Sequence, residues 1–252
     1  MYIFETTLFW IHIAPTWYGF MYALGFISCY AFVKKYGKLR WDDIDVLLTY
    51  VFFGVILGWR IGYILFYNFN FFFENPKEII AIWKWGMSFH GGLIGVITAV
   101  YIFSKRYSYK FFEVMDPLAV IVPTAIFFGR IGNYINGELL WYSPYNGPLA
   151  VYKNSIWHFP STLMEAFLEW IMLFIVMLFA WKTIKKYHGI LSALFLIGYG
   201  TARFISEFFR LPDEHIGYLL GTTWLTLWII YTLPILLVWI FILVYSFKKT
   251  VK

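Results

Sequence analysis

The sequence has few charged residues and one cysteine. Asp, Glu, Lys and Arg make up 13% of its 252 residues, whereas a soluble domain carries about 25%. A soluble fold of this size is excluded, because so few charges could not cover its surface with polar groups. The single cysteine, Cys29, excludes a disulfide framework and a four-cysteine zinc site. An aromatic content of 24% excludes a disordered chain.

Hydrophobic residues make up 61% of the chain, and they are gathered in runs long enough to cross a membrane. Seven such runs are predicted, at 16–33, 45–67, 87–104, 117–135, 161–181, 189–209 and 222–247. The first does not read as a cleaved signal peptide, because the segment before it has no basic residue and contains Glu5. Without repeats or linkers, residues 1–252 are expected to form one integral membrane domain. The predicted fold class is all-α, a polytopic membrane bundle of seven transmembrane helices.

Basic residues alternate in number from one connection to the next, which predicts the orientation. The segments on one side contain 13 Lys and Arg residues, and those on the other contain four. By the positive-inside rule, the N-terminus lies outside and the C-terminus in the cytoplasm. The net charge of +6 is therefore attributed to an anionic membrane leaflet, and nucleic acid is not an expected partner.

Charged side chains also occur where a membrane span should have none. Those within the predicted spans are Arg60, Arg130, Arg203, Glu165, Glu169 and Glu207. Intramembrane charges are costly and indicate a functional site by default, although structural ion pairs or snorkelling to the interface would also explain them. Arg203 and Glu207 are four residues apart and share a helix face, so they could simply pair. Glu165 and Glu169 repeat this spacing with like charge, so one is either neutral or facing an arginine elsewhere.

Two further segments contain candidate functional side chains. GMSFHGGLIG, residues 86–95, has His90 beside two glycines, which let the backbone approach a neighbour or a ligand. Histidine is the side chain best suited to accept a proton near neutral pH, although a lone one is often only hydrogen-bonded. GRIGNYINGELLW, residues 129–141, has Arg130 and Asn133 on one helix face, and this pair of donors suits a phosphate.

Taken together, these motifs resemble the bacterial prolipoprotein diacylglyceryl transferase family. The signature matches at Gly129, Arg130, Gly132, Asn133, Asn136 and Glu138, and the histidine element at His90, Gly91 and Gly92. Further matches run in order from Trp17-Tyr18-Gly19 through Arg60 and Pro160-Ser161 to Tyr199, Arg203, Glu207, Arg210, Pro212 and Asp213. The chain departs from the pattern at Trp141, Thr162, Met164 and Lys84-Trp85.

This resemblance implies a transferase of the bacterial cytoplasmic (inner) membrane. It would transfer a diacylglyceryl group from phosphatidylglycerol to the lipobox cysteine thiol of a prolipoprotein, forming a thioether and releasing glycerol phosphate. Its partners would be phosphatidylglycerol, membrane lipid and the signal peptides of prolipoproteins, with no cofactor. No metal is expected either, because the five histidines are scattered without ligand spacing.

Residue roles follow from the same resemblance. Arg130 and Arg203 would hold the anionic headgroup and stabilise the leaving phosphate, and His90 would accept the thiol proton. The substrate-binding residues would be Arg130, Asn133, Glu138, Tyr18, Tyr199, Glu207, Arg60 and Arg210. Three alternatives remain: a diverged paralogue with another lipid substrate, a transporter of an anionic solute, and a structural subunit. Transporters often have paired broken helices, and the sequence shows no such pair. A structural subunit would leave the three intramembrane arginines unexplained.

Overall fold

The structure is a computed structural model of the protein. It describes residues 2–8, 11–67, 69–81, 88–139, 143–184 and 187–208, together with eleven positions between 217 and 244. The chain divides into two compact units. The first comprises Met1–Phe32 and Asp116–Lys252, and the second is Val33–Met115.

Helices make up most of the described chain. They are α1 (Trp17–Tyr36), α2 (Trp41–Tyr67), α3 (Phe69–Glu74), α4 (Phe89–Arg106), α5 (Phe111–Ile135), α6 (Ser161–Ala166), α7 (Leu173–Ile184) and α8 (Ile190–Glu207). A 3₁₀ turn, Pro76–Ile80, follows α3. A π-helical segment, Phe167–Met172, joins α6 to α7 in one continuous rod.

Each of the first six predicted spans overlaps helical structure, and the fifth overlaps both α6 and α7. Four helical stretches among the described residues are long and apolar enough to cross a membrane: Trp41–Tyr67, Phe111–Ile135, Ser161–Ile184 and Ile190–Glu207. The prediction of a mostly helical membrane protein is therefore confirmed. Most of the seventh predicted span, 222–247, lies outside the described residues. The count of seven spans and their orientation stay predictions.

Two small antiparallel hairpins, which the sequence reading did not predict, lie in the first unit. The strands β1 (Thr6–Leu8) and β2 (Ile11–Ile13) form one hairpin, and β3 (Val151–Lys153) and β4 (Ile156–His158) form the other. The β3–β4 turn consists of Asn154 and Ser155, both with positive φ, at 50° and 64°. Two left-handed residues give the turn that matches the twist of a hairpin. Hairpins of three-residue strands are short enough to escape a reading based on long hydrophobic runs.

In the second unit, α2 and α4 approach through glycines. A Cβ atom on Gly62 would lie 2.5 Å from the Gly91 Cα, and one on Gly54 would lie 2.7 Å from the Gly95 carbonyl oxygen. Small residues at such positions allow two membrane helices to pack with their backbones in contact. For Gly91, the close neighbour anticipated from the sequence is therefore helix α2.

In the first unit, the start of α8 is fixed by a carboxylate from α5. Asp116 is buried, with 3% of its surface exposed. Its oxygens accept hydrogen bonds from the backbone N–H groups of Gly189 (2.7 Å) and Ser192 (3.0 Å) and from the Ser192 hydroxyl (2.6 Å). The first N–H groups of a helix lack partners within the helix. Asp116 supplies acceptors for them, and it thereby joins the start of α8 to α5.

Candidate functional site

Arg130, near the end of α5, is surrounded by carboxylates. Its Nε and Nη2 donate to the two oxygens of Glu169, at 2.9 and 3.2 Å, and this is the two-pronged geometry that a guanidinium favours. Its Nη1 lies 2.9 Å from Oε2 of Glu165. Both glutamates are fully buried, whereas 14% of the Arg130 side chain is exposed. Arg130 is therefore the more accessible member of this group.

Arg203, on α8, is also paired twice. Its Nη1 donates to Oε1 of Glu165 at 3.2 Å, and its Nη2 lies 2.5 Å from Oε2 of Glu207. The Thr226 hydroxyl donates to the other Glu207 oxygen at 2.7 Å. Only 1% of the Arg203 side chain is exposed. The possible pairing of Arg203 with Glu207, inferred from their spacing, is observed.

These five residues form a continuous chain of alternating charge, here called the arginine cluster: Glu169, Arg130, Glu165, Arg203 and Glu207. Each of its glutamates faces an arginine, which answers how Glu165 and Glu169 can share a helix face. Burying charges is costly unless each one is paired and hydrogen-bonded. A guanidinium has five N–H donors, and the contacts of Arg130 with Glu169 and Glu165 engage three. Within the described residues, Arg130 thus retains donors that an anionic ligand could use.

Glu138 is held by two amides from the same motif. Asn133 donates to Oε2 of Glu138 at 2.8 Å, and Asn136 donates to Oε1 at 3.1 Å. The sequence suggested that Arg130 and Asn133 together present donors to a phosphate. In the structure, the Asn133 amide donates to Glu138 and the Arg130 fork donates to Glu169, and binding of a phosphate stays a prediction. The motif therefore builds two carboxylate contacts at the end of α5.

Two tyrosines predicted in the site lie beside these motifs. The Tyr18 ring fills the space at Gly132, where a Cβ atom would come within 2.7 Å of its Cδ2. The Tyr18 hydroxyl accepts a hydrogen bond from Tyr22 at 2.8 Å. Tyr199 is buried one turn before Arg203 and is close enough to both arginines for electrostatic interaction. Both are placed to interact with the cluster or its motif.

Arg60 and His90 belong to the second unit. Arg60 is buried, and it donates to the carbonyl oxygens of Glu78 (2.5 Å) and Ile79 (3.1 Å). Its guanidinium lies 4.9 Å from the centre of the Phe72 ring. Arg60 thus fastens the segment after α2 to that helix. His90 is buried in the first turn of α4. Arg210, Trp141 and Lys84-Trp85 lie outside the described residues.

Three members of this network were not among the residues assigned a catalytic or substrate-binding role. Glu165 and Glu169 were noted in the sequence as charges inside an apolar run, but no role was given to them. Thr226 gave no such signal, because a threonine within a hydrophobic span is ordinary. Its contact with Glu207 joins residues 19 positions apart, and only the fold brings them together.

Apolar helices of membrane-spanning length and a buried charged cluster define an integral membrane protein with a polar site. Residues 6–245 match the family described as prolipoprotein diacylglyceryl transferase. Phosphatidylglycerol–prolipoprotein diacylglyceryl transferase of Idiomarina loihiensis is 42% identical over 240 residues, covering 92% of this chain and 89% of the relative. The proteins of the same name from Ehrlichia ruminantium (41%; 84% of each chain) and Acinetobacter baumannii (39%; 96% and 93%) are similar. The chain belongs to the prolipoprotein diacylglyceryl transferase family.

Proposed function

We propose that this protein transfers a diacylglyceryl group from phosphatidylglycerol to the lipobox cysteine thiol of a prolipoprotein. The observation that carries the proposal is the arginine cluster, in which two guanidinium groups are held by buried glutamates, in a chain about 40% identical to transferases of that name. A headgroup phosphate carries the charge that guanidinium groups recognise best. The partly exposed Arg130 supports the proposal, because its guanidinium could reach such a headgroup.

The chemistry is a displacement at carbon. The cysteine sulfur forms a bond to a glycerol carbon of the lipid while the bond from that carbon to the phosphate oxygen breaks. The electron pair leaves with the oxygen, so glycerol phosphate departs with one more negative charge than the phosphodiester carried. Guanidinium groups aimed at that oxygen stabilise the charge as it develops. Arg130 and Arg203 are assigned this role, and Arg130, the more exposed, is assigned the first contact with the headgroup.

His90 is assigned the role of base. A thiol attacks as thiolate, and free cysteine has a pKa of about 8.5, so a base speeds the reaction near neutral pH. His90 lies in the first turn of α4, where the Ser88 side chain accepts a hydrogen bond from the Gly91 N–H at 3.3 Å. Tyr18, Tyr199, Asn133, Glu138 and Glu207 are assigned to orienting the arginines and the lipid, whereas Arg60 and Arg210 are assigned to the headgroup region.

The location of the reaction is also a proposal. The chain is proposed to form one domain in the bacterial cytoplasmic membrane, with seven spans and an external N-terminus. The basic residues support this orientation, with 13 on the proposed cytoplasmic side and four outside. In that orientation, the end of α5 that carries Arg130 faces outward.

Complementation tests the function directly. A bacterium depleted of its own transferase would express this chain, and lipid attachment to a reporter prolipoprotein would be measured by mass spectrometry. We expect growth and a reporter heavier by one diacylglyceryl group, and the same from Arg40→Lys, a control at an exposed arginine outside the site. A protein that inserts but modifies no reporter would contradict the proposal, and anion uptake into vesicles would then support a transporter.

A further inference from the structure

Glu165 differs from the other cluster carboxylates in what its two oxygens touch. Oε1 accepts a hydrogen bond from Arg203 at 3.2 Å, and Oε2 lies 2.9 Å from Nη1 of Arg130. One carboxyl group therefore spans two guanidinium groups that come from different helices. Because the two oxygens of a carboxylate are rigidly joined, this contact fixes how far apart the two nitrogens can lie.

Each arginine also has a carboxylate of its own. Arg130 has Glu169, which binds it through both oxygens, and Arg203 has Glu207, one turn further along α8. Two glutamates are thus enough to balance the charge of two arginines. Among the described residues, Glu165 is a third carboxylate beside two arginines, and it is the one that contacts both.

The burial and contacts of Glu165 hold its side chain in one position. Glu165 is fully buried on α6, so its side chain cannot relax into water. Through its two contacts it ties α6 to α5 and to α8. A group held in this way defines a geometry more strictly than an exposed pair, whose long side chains move freely.

We propose that Glu165 is a positioning residue that sets the spacing of Arg130 and Arg203 for the leaving phosphate. The proposal rests on the proposed function, because it assigns the two arginines to one phosphate group. The proposal predicts that the transfer rate depends on the distance between the two arginines as well as on their charge. A displacement of about 1 Å in a catalytic group can slow a reaction by about 10²-fold.

Two substitutions separate spacing from charge. Glu165→Asp keeps the negative charge, but its shorter side chain reaches one arginine at a time. Glu165→Gln keeps the length, but its amide presents an oxygen to one arginine and an N–H group to the other. We expect both to lower kcat by about 10²-fold, with a much smaller change in KM for phosphatidylglycerol. Rates would be measured with a lipobox peptide in nanodiscs, per mole of folded protein.

The controls are wild type and Glu113→Asp and Glu113→Gln, which make the same changes in the first turn of α5, away from the cluster. A wild-type rate in Glu165→Asp would overturn the proposal, because charge alone would then be sufficient. The proposal would also fail if both Glu165 variants lost activity only in proportion to their loss of folded protein.

A second measurement tests the bridge without turnover. Arg130→Lys and Arg203→Lys would be made singly and together, and the thermal unfolding midpoints compared. Residues in one ion-pair network give non-additive effects. We expect non-additive shifts in the wild-type background and additive shifts in the Glu165→Gln background. Additive shifts of the unfolding midpoint in both backgrounds would overturn the proposal that Glu165 couples the two arginines. Non-additive shifts in a wild-type protein that transfers no lipid would support the coupling and overturn only the proposed function.

Discussion

Individual residues of the arginine cluster depend on one another, and this decides how Arg130 can be tested. Removing its charge would leave Glu165 and Glu169 buried beside one cation fewer. Breaking a buried pair in this way costs about 3–5 kcal/mol. Inactivity of Arg130→Gln, which we expect, would then reflect either lost phosphate binding or lost folding.

Arg130→Lys is the more informative change. Lysine keeps the charge that the two glutamates require, but its ammonium cannot reproduce the two-pronged contact. We predict that the variant inserts and folds while its transfer rate falls by at least about 10²-fold. Initial rates of purified protein measure this, and Arg40→Lys, on an arginine side chain 77% exposed, should keep the wild-type rate. A near-normal rate in Arg130→Lys would remove the two-pronged contact from the mechanism.

His90 leads to a prediction about pH. If it accepts the thiol proton, His90→Asn should slow transfer by about 10²–10⁴-fold at neutral pH. Raising the pH toward about 8.5 should then partly restore the rate, because the substrate cysteine ionises there without help. Rates of wild type and variant with a lipobox peptide, measured across this range, give the result. Parallel profiles would show that His90 is not the base.

At the scale of elements, the N-terminus of α8 depends on a distant acceptor. Asp116→Ala would remove the carboxylate that accepts hydrogen bonds from the Gly189 and Ser192 N–H groups. A buried donor without a partner costs about 1–3 kcal/mol. We predict a lower free energy of unfolding by about that amount. Arg130 is 14 residues along α5, about 21 Å away, so activity per folded molecule should change little. Denaturant unfolding in detergent measures the loss, with Glu113→Ala, one turn earlier, as the control.

The contact between α2 and α4 gives a matched pair of glycine substitutions. A Cβ atom on Gly91 would overlap the Gly58 carbonyl oxygen, and relief would require a backbone to move. Gly91→Ala should cost about 1–3 kcal/mol. A Cβ on Gly129 would meet nothing within 4 Å, so Gly129→Ala should gain about 0.5–1 kcal/mol from helix preference. Unfolding curves of both variants should shift in opposite directions, and equal shifts would contradict this account.

For the whole molecule, the orientation in the membrane is the prediction on which the others depend. Fusions of a topology reporter after Tyr107 and after Lys186 should report the cytoplasm, and one after Tyr145 the outside, because basic connections are retained inside. Reporter activity in intact cells measures this. A cytoplasmic signal after Tyr145 would rule out the seven-span arrangement.

The sequence predicted the parts of the site that follow from local rules. A charge in an apolar run marked Arg130, Arg203, Glu165 and Glu169, and helix spacing suggested the contact of Arg203 with Glu207. Contacts between distant segments were not predictable, because they depend on how helices pack. The Arg130 contact with Glu169 joins positions 39 residues apart. Likewise, nothing in the sequence indicated that Arg60 would bind backbone carbonyls.

The π-helical segment between α6 and α7 governs the rotational phase of the whole rod. Glu165, Glu169, Leu173 and Met177 are spaced by four residues, and all are buried. In a plain α-helix each four-residue step turns about 40° beyond a full circle, so the last would point about 120° away from the first. A π turn holds more residues, and it takes up this excess. Deleting one residue from Phe167–Met172 would therefore let a plain α-helix form with Leu173 and Met177 still on the face that carries Glu165, because they would follow it by seven and eleven residues, close to whole turns.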